Sequence, residues 1–252
     1  MINQNAASTL QPEAGASRRA KPVIAIDGPA GAGKSTMAAH LARRFGFLNL
    51  ETGAMYRALA LKAIERDLAF DDAATLLELA QHTRIRLQPQ LEGNRVLLDG
   101  VDVSRRVRDG DVTAAASRVS VHPALRAWMV DQQRAMGAAG GVVMEGRDIG
   151  TVVFPDAEVK IFLDAAPEVR GSRRFRQTGP AGETANPQQA EAALIAELKE
   201  RDARDRSRAE SPLRAAEDAV VLDSTAMTLD EVLAAAEAIV RTHLAQDGNP
   251  LP

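Results

Sequence analysis

"IDGPAGAGKST", Ile26–Thr36, is the stretch that decides the reading of this chain. Gly28-Pro29-Ala30-Gly31-Ala32-Gly33-Lys34-Ser35 matches G-x-x-x-x-G-K-[ST], a pattern whose glycines let backbone N–H groups turn inward around phosphate oxygens. The apolar run Val23–Ile26 before it, closed by Asp27-Gly28, reads as a buried strand. After it Met37, Ala38, Leu41, Ala42 and Phe45 recur at helical spacing, so an amphipathic helix follows. That helix turns its positive end to the loop. Residues 28–36 are therefore expected to hold a nucleoside triphosphate, with Lys34 reaching the β- and γ-phosphates and the Ser35 hydroxyl on Mg²⁺. Such a loop names the donor and leaves the acceptor open.

Composition removes several classes of acceptor. The chain of 252 residues is 45% hydrophobic and 26% charged, ordinary for a globular protein, and long enough for one sizeable core with an inserted subdomain. A net charge of -3 gives no basic field for nucleic acid or an anionic membrane, and 3% aromatics supply few stacking platforms. There is no cysteine, and His40, His82, His122 and His243 show no metal-ligand spacing. No apolar run approaches the roughly 20 residues that span a bilayer. Residues 1–20 lack an apolar signal-peptide segment and read as a flexible leader, so the expected setting is cytoplasmic.

Further buried strands are expected at Gly141–Glu145, Val159–Asp164 and Ala219–Ser224, with helical segments between them. The alternation predicts an α/β fold with a parallel sheet flanked by helices on both faces. A last helix spans Leu229–Leu244, with Leu229, Val232, Leu233, Ala236 and Val240 on one face. From about 64 to 110 the pattern breaks into a polar insertion with a hairpin around "EGN". "QTGPAGETANPQQ", Gln177–Gln189, is rich in Gly, Pro, Asn and Gln, and suits a linker or a mobile lid, expected over about 175–200.

Three downstream clusters bear on the acceptor. In "TGAMYR", Thr52 and Arg57 can face a second anion with Tyr56 as a wall, or be ordinary core and surface. In "GVVMEGRDIGTVVFP" a strand ends in Glu145, followed by Gly146, Arg147 and Asp148, at the edge where open α/β sheets bind ligands. Glu145 stands where an acid would assist Mg²⁺; Arg147 and Asp148 are either ligand contacts or a mutual ion pair. In "KERDARDRSR", helical spacing puts Arg201, Arg204 or Asp205, and Arg208 on one stripe. The bland reading there is a solvated helix laced by pairs such as Asp202–Arg206. Arginine forks suit phosphate better than lysine does.

A hydroxyl acceptor usually calls for a base, whereas a phosphate monoester, with its second pKa near ~6, is already a nucleophile at neutral pH. What it lacks is positive charge to offset the repulsion of two anions. One lysine, several arginines and no histidine near any motif fit phosphate-to-phosphate transfer.

"IDGPAGAGKST", "TGAMYR", "ASRVSVHPALR", "EGRDIGTVVFPDAEVKIFLDA" and "ERDARDRSR", in that order, resemble the bacterial cytidylate kinases, and the resemblance covers about 21–244, leaving 245–252 as a tail. It implies a P-loop kinase core with a small insertion in the monophosphate-binding region and a lid. It implies transfer from Mg·ATP to CMP or dCMP by a monomer. Thr52, Arg57, Ser117, Arg126, Arg147, Asp148, Asp205 and Arg208 are implied as substrate contacts. Lys34, Arg147, Arg201 and Arg208 are implied at the transferred phosphate, and Ser35 and Glu145 at the metal. Thr52 replaces the usual serine and Glu145 a frequent aspartate. A carboxylate such as Asp148 can accept from the cytosine amine, where uracil offers a carbonyl instead, so UMP is expected to be a poor substrate. A hydroxyl kinase of the shikimate type and a nucleotide switch without transfer are the competing readings.

Overall fold

The structure is a computed structural model and describes residues 19–90, 93–178 and 186–246. The chain opens with β1 (Val23–Asp27), α1 (Lys34–Phe45), β2 (Leu48–Glu51) and α2 (Thr52–Glu65). Next come α3 (Ala73–Gln81) and three short strands, β3 (Ile85–Gln90), β4 (Gly93–Leu98) and β5 (Val101–Asp102). α4 (Gly110–Val119) and α5 (Pro123–Gly137) lead to β6 (Val142–Glu145) and β7 (Val159–Asp164). α6 (Pro167–Thr178), α7 (Pro187–Arg206), β8 (Val220–Asp223) and α8 (Leu229–Gln246) complete it.

Among the described residues five strands form one parallel sheet in the order β2-β6-β1-β7-β8. β1 lies at its centre, and all five of its residues are buried because helices cover both faces. Successive side chains of a strand point to opposite faces. Ile24 and Ile26 thus pack in one cluster with Met37, Leu41 and Phe45 of α1 and with Val232, Val240 and Leu244 of α8. Ala236, at the central turn of α8, is wholly buried, and its small side chain lets α8 lie close on α1. Val23 and Ala25 pack on the other face with Leu50, Met144, Ile149 and Phe154. A third cluster joins α2, α3, α4 and α5 to the β3–β4 hairpin.

Several expectations need correction. The apolar patterns do not foretell β2: four residues, Leu-Asn-Leu-Glu, are too few to show a period, and Asn49 breaks the apolar signal although it is buried. β8, expected as a buried strand, forms the sheet edge, and Val221 is 59% exposed. Leu229 starts α8 but is exposed, and the buried face runs through Val232, Ala236, Val240 and Leu244. Arg19, counted with the leader, is bound to Asp156 and Glu158 and lies over the Phe154 ring. Residues 1–18, the hairpin tip 91–92, residues 179–185 of the expected lid and the tail from 247 lie outside the described residues.

Besides its apolar packing, the insertion is hydrogen-bonded to the core sheet by the side chain of Asn94. Asn94 of β4 accepts from the Glu51 amide at 2.8 Å and donates to the Asn49 carbonyl at 2.7 Å. The hairpin is therefore hydrogen-bonded to the last residues of β2, beside the start of "TGAMYR".

At the other side of β1, Gly28 has φ 146° and passes directly under β7. A Cβ there would lie 2.0 Å from the Leu163 carbonyl oxygen, which is backbone and cannot step aside. Gly28→Ala is expected to lower the unfolding free energy by roughly 2–4 kcal/mol in equilibrium urea denaturation, through strain and forced separation of the strands. A loss below about 0.5 kcal/mol, the ordinary surface effect, would show that this close approach is not needed.

Candidate functional site

The glycine-rich loop 28–33 lies at the carboxyl edge of the sheet, where β1, β2 and β6 end side by side. Ile26 is in register with Glu145, and Glu145 with Glu51. Lys34, the first residue of α1, is buried and donates from Nζ to the Pro29 carbonyl at 2.8 Å, so its side chain curls back over the loop. Ala30 and Ala32 are buried, whereas Gly31, Gly33, Ser35 and Thr36 face solvent. Ser35 Oγ donates to Glu145 Oε1 at 2.9 Å. A hydroxyl and a carboxylate oxygen thus converge beside the loop. They are hard oxygen donors of the kind Mg²⁺ takes while keeping several waters, so this pair fits that ion. Among the described residues no group of three His, Cys, Asp or Glu side chains is arranged to hold a metal alone.

The downstream clusters meet beside Glu145. Thr52, at the start of α2, donates to the Glu145 carbonyl at 2.8 Å. Arg147 and Asp148 do not pair with each other. Arg147 Nε donates to Asp205 at 3.0 Å, and Asp148 accepts from Arg126, whose other nitrogen donates to the Ser120 carbonyl at 3.1 Å. Arg126 also lies 5.6 Å from the ring centroid of Tyr56, which packs against the core cluster of α2 to α5. Arg208 donates to Asp205 and, at 3.2 Å, to Ser120 Oγ. Ser117 Oγ accepts from Arg204 at 3.2 Å. α7 ends at Arg206, so Arg208 stands just beyond the helix instead of on its stripe, and it reaches back to Asp205. The pair Asp202–Arg206 gives way to Asp202–Arg170 and Arg206–Asp164.

Crowded positive charge marks the electrostatics. Burial, reinforced by Arg147, pulls the Lys34 ammonium down to about 7 and the Arg201 guanidinium down to about 10. Burial also lowers Arg57 and Arg208. Burial pushes Asp205 up, but Arg147, Arg208 and Arg201 outweigh it and hold the carboxyl below its ordinary value. The Nε atoms of Arg57 and Arg201 are buried with no partner among the described residues. An anion entering here would find donors and would relieve repulsion among the cations.

Sequence reasoning misses Asp27, Ser120 and Arg170 as contributors to the site, and Asp202 pairs with Arg170 instead of the Arg206 of the solvated-helix alternative. Ser120 lies inside the quoted "ASRVSVHPALR", so that segment is the signal that points toward it. Asp27 looks in sequence like no more than the end of a strand. Its carboxylate accepts from the amides of Ile149 and Gly150 at 2.8 and 2.7 Å, capping the single π-helical turn Ile149–Val153 that follows Arg147-Asp148.

Against known families, the model described as "Cytidylate kinase" matches residues 24–242. The chain belongs to the cytidylate kinase family. Its activity is that of a cytidylate kinase, a phosphotransferase, and membership in a nucleotide kinase family implies ATP as donor. A cytidylate kinase of Aeromonas salmonicida is 48% identical over 213 residues, spanning 84% of this chain and 91% of the relative. One of Geobacter sp. strain M21 is 47% identical over 224 residues, spanning 89% and 94%. A solved shikimate kinase of Bacteroides thetaiotaomicron matches at 12% identity and TM-score 0.43, covering 89% of this chain and 98% of that one, too distant to bear on the acceptor.

Asp27 ties the end of β1 to the turn that follows Arg147-Asp148, and its titration can be followed. Burial pushes its carboxyl up to about 7 against the two amide donors, with Asp148 adding to the rise and Lys34 opposing it. A carboxyl raised on folding adds stability that is fully present below its unfolded value and is lost as pH climbs through its folded value. The window runs from about pH 4 to about pH 7, and the effect is of order 4 kcal/mol at most. Asp27→Asn is expected to flatten this decline in denaturation curves taken across that window; parallel declines in both proteins would contradict a raised Asp27.

Proposed function

We propose that this protein transfers the γ-phosphoryl group of Mg·ATP to CMP or dCMP, giving ADP and CDP or dCDP. The observation that carries the reading is the meeting of Lys34 and Ser35 with Arg147, Asp148, Arg126, Asp205 and Arg208 around Glu145. Residues Gly28 to Thr36 hold the triphosphate of ATP, with backbone amides of the loop and the α1 N-terminus directed at its oxygens. A cavity of about 420 Å³ beyond the loop, bordered by Ala165, Pro167, Arg170, Asp202 and Thr225, receives the ATP nucleoside.

On the acceptor side Thr52, Arg57, Arg147 and Arg208 hold the monophosphate, Asp205 the sugar, and Ser117, Arg126 and Asp148 the base. Arg126 fixes Asp148 so that one carboxylate oxygen remains to accept from the cytosine amine. UMP would place a carbonyl against that carboxylate. An acceptor phosphate oxygen attacks the γ-phosphorus in line while the bond to the β,γ-bridging oxygen breaks, and ADP leaves with the electron pair. The acceptor is a dianion near neutral pH, so no base is needed. Lys34, Arg147, Arg201 and Arg208 stabilise the charge on the transferring oxygens. When bound through Ser35 and Glu145, Mg²⁺ offsets the charge of the β- and γ-oxygens. The reading takes the protein as a cytoplasmic monomer with small-molecule partners and no nucleic acid or membrane; a net charge of -3 gives no basic field for nucleic acid or an anionic membrane, and no described helix is long and apolar enough to cross a membrane.

Lys34→Ala is expected to lower kcat by at least about 10³-fold in a coupled assay, as removal of charge at a transferring phosphoryl group does. Asp148→Ala is expected to lower kcat/KM for CMP by about 10³-fold or more, with the calorimetric Kd for ATP within about threefold of wild type. Undiminished CMP turnover in the Asp148 variant would remove the base-reading role.

A further inference from the structure

We propose that Arg170 and Asp202 form a positioning pair that holds α7, and with it Arg201 and Asp205, in fixed register with the phosphate loop. Arg170 is 1% exposed, and its guanidinium bonds three segments that are distant in sequence. Nε donates to the Ala165 carbonyl at 2.8 Å, just past β7. Nη1 donates to the Ala30 carbonyl at 2.8 Å, inside the phosphate loop. Nη2 donates to Asp202 Oδ2 at 2.5 Å, on α7. The donor loop and the helix that carries Arg201 and Asp205 are thus held by one rigid planar group.

The loop packs beside both helices: a Cβ on Gly31, at its crown, would meet Arg170 Cβ at 3.5 Å and Leu198 Cδ1 on α7 at 3.8 Å, ordinary contact distances. α6 and α7 touch so closely that a Cβ on Gly171 would stand 2.2 Å from Ile195 Cγ1. Asp202 commits itself to Arg170: its other oxygen is buried without a partner among the described residues. A buried ion pair is a poor source of net stability, because desolvating both charges offsets most of the attraction. What it does is fix one arrangement. Asp202 and Arg201 are sequence neighbours, so a shift of the first carries the second. Displacement of a catalytic group by about 1 Å can cost on the order of 10²-fold in rate.

The inference rests on the assignment of Arg201 to the transferred phosphoryl group, and a double-mutant cycle separates the two. In the wild type, Arg201→Ala is expected to lower kcat by about 10²-fold or more, as loss of a phosphoryl-clamping arginine does. Asp202→Ala is expected to lower kcat about tenfold or more, and in its presence Arg201→Ala should cost at least about tenfold less than in the wild type. Asp202→Ala leaves the Arg170 charge buried and alone, so a second background, Arg170→Met with Asp202→Leu, removes the pair without an orphan charge. That background should keep a near-native denaturation midpoint and show the same loss of kcat and the same weakened Arg201 effect. An Arg201→Ala cost that is equal in all backgrounds overturns the positioning role while leaving Arg201 at the phosphate. An Arg201→Ala variant with wild-type kcat overturns both.

Discussion

Mutual repulsion among guanidinium and ammonium groups held in one cleft is the constraint on which the rest of this structure depends. Lys34, Arg57, Arg126, Arg147, Arg201 and Arg208 converge at the carboxyl edge of one sheet, and burial weakens the hold of Lys34, Arg57, Arg201 and Arg208 on their protons. Carboxylates hold the set together. Asp205 is shared by Arg147 and Arg208, and Asp148 is matched to Arg126. Asp148 and Asp205 are both buried, so each is an internal counter-charge and not a surface group. In the proposed reaction, substrate phosphates join these carboxylates as counter-charges, and binding then strengthens where charge develops during transfer.

The sheet makes that gathering possible. β1 sits between β6 and β7, and the loop after it turns under β7 at Gly28. β2 and β6 end level with each other, so Glu51-Thr52 and Glu145-Gly146 are neighbours although far apart in the chain. Asp27 joins β1 to the turn after Asp148, and Arg170 joins the loop to α7. Each of these ties is a buried polar group with named partners, joining the end of β1 and the loop after it to a different later segment of the chain.

The backbone plan and the residue types of the site are legible in the sequence, because both are written locally. Glycine spacing, the period of Met37 to Phe45 and the apolar runs ending in Asp27, Glu145 and Asp164 are all short-range patterns. Charge partners are long-range facts. Arg147 finds Asp205 across 58 positions and Arg170 finds Asp202 across 32. The local alternatives, Arg147–Asp148 and Asp202–Arg206, are equally legible and are not formed. Its short length and its asparagine hide β2. Arg208 fits a helical stripe by spacing, whereas the helix ends before it.

Initial rates with Mg·ATP and each of CMP, UMP, AMP and shikimate as acceptor are the most direct measurement of whether this cleft serves an anionic acceptor whose base offers an amine. CMP is expected to be fastest, with kcat/KM above that for UMP by about 10⁴, the discrimination available to a site built around one hydrogen bond. Faster turnover of AMP or shikimate, or equal use of UMP, would contradict it.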